Sequence, residues 1–196
     1  MKPLQIRLAT TASLVLLVAL SRFLPHPPNA TPVMAMALFG GALFERKWLG
    51  LVVPVLAMLL SDVLIGFHGT MGAVYGSLAL AWLIGAVALR QPTVARVAGA
   101  SLASSTLFFI ITNFAVWFGS SYYPQTAGGL LGCYTAGMAF YNNQSFFLNG
   151  VLGDLFFSGL LFGGYALLQR RFPVLRLRVA VCEATPARSQ SGGNAK

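Results

Sequence analysis

Two aspartates, Asp62 and Asp154, two histidines, His26 and His68, and a handful of amides and aromatics carry the chemistry open to a chain that is otherwise mostly apolar. Asp62 stands near the end of an apolar run, Leu60-Ser61-Asp62-Val63-Leu64-Ile65. It has two readings, a contact to a ligand or cation and an ion pair with Arg22, and both turn it toward the interior of a helix bundle. Asp154 lies in the strip Gly150-x-x-x-Asp154-x-x-x-Ser158, whose small residues let helices approach closely. Its carboxylate is expected to be structural, capping a neighbouring helix, with solute contact as the alternative. Asn113 and Trp117 are four apart and share a helix face. Trp117 with Tyr122 and Tyr123 also fits an interfacial aromatic belt, whereas Asn113 lies deeper and needs partners. His26 and His68 fall in turns, either solvated or serving as an axial ligand to a metal-bearing solute, since neutral imidazole is a good ligand. Asn142, Asn143 and Gln144 read as a helix break, and Asn149 as the better solute contact.

Several chemistries are excluded. There is no Gly-x-x-x-x-Gly-Lys loop, no His-Glu-x-x-His and no Gly-x-Ser-x-Gly. The chain is therefore not expected to hydrolyse ATP by itself, nor to be an enzyme. A membrane enzyme would have to turn over a substrate through Asp62, His68 or Cys133. The two cysteines, Cys133 and Cys182, have no metal-finger spacing, and neither a metal site nor a cofactor is expected.

The elements that position these groups follow from composition. Hydrophobic residues make up 57% of the chain, charged residues 9%, and mean hydropathy is +0.74. Soluble domains carry roughly 25% charge, so this surface is built for lipid. The fold class is an all-α integral membrane protein with six spans, at about 6–24, 32–44, 48–67, 71–89, 97–118 and 146–168. The Pro-rich stretch Pro25 to Pro32 cannot be helical throughout, and the second span is thin for a crossing unless that stretch dips into the membrane. The Gly-rich run Gly128 to Tyr141 is too short to span and reads as an interfacial or re-entrant helix. Met1 to Leu24 has the look of a signal peptide but lacks a small-x-small cleavage site, so it is expected to stay as the first helix. Residues 1–178 form one transmembrane domain and 179–196 a disordered cytoplasmic tail.

The net charge of +9 is distributed in short clusters between the apolar runs, which points to membrane orientation and not to nucleic acid. With the N-terminus inside, twelve of the thirteen basic residues fall in the cytoplasm and only Arg22 lies outside. The expected location is the bacterial inner membrane. Arg22, His26, Asn29, Asp62, His68, Tyr75, Asn113, Trp117, Asn149 and Asp154 then collect in the outer half. An ionisable group at membrane depth costs at least ~2.5–3.5 kcal/mol, so such groups line cavities or pair. An outward cavity of amides and aromatics suits a small polar or ring-bearing solute, with the stretch from Gly119 to Gln144 as its lid. A non-transport scaffold or lipid-sensing protein, whose polar groups merely satisfy one another, is the alternative.

Arg22-Phe-Leu-Pro-His-Pro-Pro-Asn29, Pro32-Val-Met-Ala-Met-Ala-Leu-Phe-Gly-Gly-Ala-Leu-Phe44, Leu60-Ser-Asp-Val-Leu-Ile-Gly-Phe-His68, Thr112-Asn-Phe-Ala-Val-Trp117, Tyr123-Pro124, Gly129-Leu130 and Gly153-Asp154 resemble a family of small bacterial membrane proteins of uncharacterised function. That family is in turn similar to the S-components of energy-coupling-factor vitamin transporters. The resemblance implies a vitamin-like solute (a corrinoid among the options), bound at an outward cavity. It also implies delivery with a separate transmembrane subunit and two ATPases. The small-xxx-small pairs for docking such a partner would be Ala9/Ser13 and Ala37/Gly41.

Overall fold

The computed structural model describes residues 3–139 and 144–176, and every regular element among them is helical. The helices are α1 (Pro3–Ala19, continued by a 3-10 turn, Leu20–Phe23), α2 (Val33–Leu43), α3 (Lys47–Ile65), α4 (Met71–Ala88), α5 (Val94–Gly119), α6 (Ala127–Met138) and α7 (Phe146–Arg171). A second 3-10 turn, Pro173–Leu175, follows. Their starts have local causes. The side chains of Thr93, Thr126 and Ser145 each accept a hydrogen bond from the backbone N–H three residues on, satisfying a donor that has no partner inside the helix. At the far end of α3, Gly66 adopts φ 118°, a conformation that side chains resist, and the chain turns away.

Five of these helices, α1 with its 3-10 extension, α3, α4, α5 and α7, are long and apolar enough to cross a membrane. Their outward faces carry large apolar side chains such as Leu56, Leu60 and Leu64, as a lipid-facing surface does. These features mark a multi-pass membrane protein. The expected second span is a different object. α2 has eleven residues, about 16 Å of helix against about 30 Å of hydrocarbon. It can be short because the chain before it sinks between the other helices. The Asn29 amide donates to the Phe146 carbonyl at 2.9 Å, and the Asn149 amide donates to the Pro28 carbonyl at 3.0 Å. Gly150 and Gly153 leave room for Asn29 and Ala30 against α7. The Pro-rich segment thus covers about the first two turns of α7 before α2 begins.

Every residue of α2 is buried. It packs against α1, α3, α4, α5 and α7 and is the core of the molecule. Backbone meets backbone at two of these contacts: Gly40 of α2 faces the Gly50 carbonyl of α3, and Gly41 faces the Trp82 carbonyl of α4. A methyl group at either glycine would collide with a carbonyl oxygen. One end of the bundle gathers basic residues. Arg7 pairs with Glu45 at 2.5 Å and donates to the Arg176 carbonyl at 3.0 Å, while the Lys47 ammonium caps α2 through the Gly41 and Ala42 carbonyls at 2.7 and 3.2 Å. The expected tail, 179–196, lies outside the described residues.

Candidate functional site

At the end of the bundle away from those basic residues the helices enclose a cavity of about 500 Å³. Arg22 comes to it from the 3-10 turn after α1, and Asn29 and Thr31 from the sunken segment. His68 and Thr70 contribute from the α3–α4 turn, and Thr112 and Asn113 from α5. Cys133 and Gly137 of α6 form one wall, with Tyr123 above them. Apolar side chains, Val33, Met58, Phe108 and Phe146 among them, complete the lining. α6 runs back alongside the upper half of α5: the Tyr134 hydroxyl donates to the Ile110 carbonyl at 2.9 Å, and the Cys133 thiol to the Asn113 carbonyl at 3.4 Å. Gly137 fits against Asn113 and Phe109, where a side chain would not.

Of the ten residues singled out from the sequence, Arg22, Asn29, His68 and Asn113 line this cavity. Their hydrogen bonds determine what each presents. Asn29 and Asn113 each donate one amide hydrogen to a carbonyl, of Phe146 and Phe109 respectively, at 2.9 Å each. Each keeps a second N–H and its amide oxygen, the Asn113 oxygen lying 3.9 Å from the Cys133 thiol. Thr112 donates to the Phe108 carbonyl at 2.7 Å and keeps its lone pairs. His68 Nδ1 is engaged with the Thr70 hydroxyl at 2.9 Å, leaving Nε2. Burial pushes the Cys133 thiol above its ordinary range, so it stays a neutral donor and not a thiolate ligand.

The other six stand elsewhere. Asp62 is almost completely buried and pairs with Arg22 at 3.0 Å, while the Tyr75 hydroxyl donates to its second oxygen at 2.8 Å. Arg22 also donates to the Ser61 hydroxyl and to the Met58 sulfur. The ion-pair reading of Asp62 is the contact present, and it neutralises the guanidinium at the cavity edge. Trp117 donates its indole N–H to the Pro124 carbonyl at 2.9 Å and braces the loop above the cavity. Asn149 holds the sunken segment through Pro28. His26 is exposed, its ring bonded to the Pro27 carbonyl at 3.0 Å. Asp154 lies below the cavity, where it accepts from the Ser105 hydroxyl at 2.6 Å and from the backbone N–H of Ala35. Ala35 is in the first turn of α2, whose preceding residue, Pro32, offers no side-chain cap. Asp154 supplies that cap from α7.

Thr31, Thr70, Thr112 and Phe146 were not anticipated from the sequence. Phe108, Thr112 and Val116 recur every four residues along α5 and form the stripe facing the cavity, so that periodicity was a usable signal. The threonines of the sunken segment and of the turn had none. Asn142 and Asn143 lie outside the described residues, and the described groups of His, Cys, Asp and Glu include no set of three able to hold a metal ion. A family model, that of a family of unknown function, DUF6580, matches residues 2–175. No curated protein and no solved structure matches the chain.

Proposed function

The chain belongs to the DUF6580 family of unknown function, and from that premise we propose that it is a membrane-embedded binding protein for the uptake of a small, vitamin-like, ring-bearing solute. The observation that carries this reading is the cavity of about 500 Å³ at the end of the bundle opposite the basic residues. Its lining of apolar, aromatic and a few polar side chains has the make-up of small-molecule sites, and its volume sits in the lower half of their roughly 300–1,000 Å³ range. A cavity of this volume favours a solute smaller than a corrinoid. The amides of Asn29 and Asn113 each offer a remaining N–H as well as an oxygen, which suits a polar solute that both donates and accepts hydrogen bonds. The single cation, Arg22, is already neutralised by Asp62, so the site does not favour an anion.

With the basic end in the cytosol, both termini lie inside, the cavity opens outward, and α2 with its sunken lead-in serves as the sixth crossing. Size, helix count and a short, small-residue second helix support likening the chain to the S-components of energy-coupling-factor vitamin transporters. Such a partner would have to use Ala9 and Ser13, which are exposed on α1, since Ala37 and Gly41 are buried in the core. The scaffold alternative draws on the self-contained contacts of Asp62, Asp154, Asn149 and Trp117; the cavity favours binding over it.

Native mass spectrometry of the detergent-purified protein tests the proposal. The expected result is a bound small molecule that is lost or weakened about 3–10-fold in Asn113→Ala, the loss of one hydrogen bond. A folded protein that never carries a small molecule, with a reproducible protein partner in its place, would overturn it.

A further inference from the structure

Asp154 stands eight residues into α7, about 12 Å below the helix's outer end, and is 4% exposed. Among the described residues no cation pairs with it: the ion pairs join Arg7 to Glu45 and Arg22 to Asp62. The elements packed around it offer no counter-charge. α2 has no ionisable side chain. The charged residue of α5 is Arg96, at its opposite end and bonded to the Gln91 carbonyl. α7 itself adds Tyr165, Arg170 and Arg171, all at its far end. The sunken segment has only the exposed His26, and α6 brings Cys133 and Tyr134, which are bonded to Asn113 and Ile110.

A carboxylate so placed must find a neutralising partner, and the hydrogen bonds around it identify one. Ser105 has a single hydroxyl hydrogen and two acceptors in reach: the Ser101 carbonyl at 3.0 Å and Asp154 Oδ2 at 2.6 Å. A proton on Oδ2 resolves the competition. Asp154 then donates to the Ser105 oxygen, and Ser105 donates to Ser101. Beside the carboxyl lies a void of about 10 Å³, lined by Asn29, Thr31, Val33 and Phe108, all of which also line the outer cavity. That is the space of about one water molecule. We propose that Asp154 is a proton-binding site, reached from the outer cavity through this void, whose occupancy switches the Asp154–Ser105 hydrogen bond and with it the cap on α2. Binding takes one proton from outside water onto Oδ2; release returns it by the same route and leaves Ser105 and Ala35 donating to the carboxylate. This inference does not depend on the solute.

The test is infrared difference spectroscopy of the full chain in lipid nanodiscs, cycled between about pH 4 and about pH 9. The chain has only two aspartates, so carbon-13 labelling of aspartate confines the signal to Asp62 and Asp154. The expected result is an isotope-shifted carboxylic-acid carbonyl band that Asp62→Asn retains and Asp154→Asn abolishes. Ser105→Ala should change its frequency, because the acid loses its hydrogen-bond partner, and this keeps the proposal testable if Asp154→Asn fails to fold. Absence of any labelled acid band in the wild type would overturn it. So would a band that Ser105→Ala leaves unmoved, or one that sodium in place of choline removes at fixed pH, which would assign the site to a metal ion.

Discussion

Arg22 and Asp62 share a site with little access to water, and each is the reason the other can be there. Removing one partner of a buried pair strands the other charge, at a cost of about 3–5 kcal/mol. Asp62→Ala is therefore expected to lower the thermal unfolding midpoint in detergent far more than Tyr75→Phe. The latter removes one hydroxyl contact, worth about 1 kcal/mol. A double replacement of both charges by apolar side chains of similar volume, Arg22→Met with Asp62→Leu, should recover most of the loss. If Asp62→Ala unfolds at the same temperature as Tyr75→Phe, the pair does not have the role assigned to it. Asn113 differs in kind: one N–H is bonded within its own helix, and Asn113→Ala removes a neutral polar contact for a ligand, so it should disturb the fold less than Asp62→Ala does.

Among the elements, α2 is the one whose neighbours touch it backbone to backbone. Gly40→Ala places a methyl group on the Gly50 carbonyl and Gly41→Ala places one on the Trp82 carbonyl. Neither helix can retreat without opening the core, so each variant should lose the folded state at temperatures the wild type survives. Gly163 of α7 is the contrast: nothing lies within 4 Å of where its Cβ would stand. There Gly→Ala should be neutral or stabilise by up to about 1 kcal/mol, the helix-propensity gain. Unfolding midpoints of the three variants by intrinsic fluorescence decide the matter; a Gly41→Ala protein as stable as Gly163→Ala would remove α2 from the centre of the packing.

For the molecule as a whole, the proposed orientation puts the basic end in the cytosol and the cavity end outside. Single cysteines placed at Tyr122 and Val94, which are 86% and 89% exposed at opposite ends of the bundle, report it once Cys133 and Cys182 have been replaced by serine. A membrane-impermeant maleimide should label Tyr122→Cys in intact cells and Val94→Cys only after lysis. The reverse pattern would turn the cavity toward the cytosol and end the uptake proposal.

Helix positions were legible from the residues because lipid and helix impose simple rules: a run of apolar residues of spanning length, a proline or charged break, and lysine and arginine held to one side. The expected starts of α4 at Met71 and α7 at Phe146 coincide with those observed. Candidate polar groups could also be named in advance, because a polar residue amid an apolar run is conspicuous. Their partners could not. Whether Asp62 meets a solute or Arg22, and whether Asp154 caps α2, depends on contacts across 40 and 119 residues of chain. No local periodicity encodes such separations. The cavity, too, exists only because the segment before α2 sinks along α7 and α6 folds back along α5. Both are packing solutions reached between glycines and small polar groups far apart in sequence, and only the tertiary structure decides them.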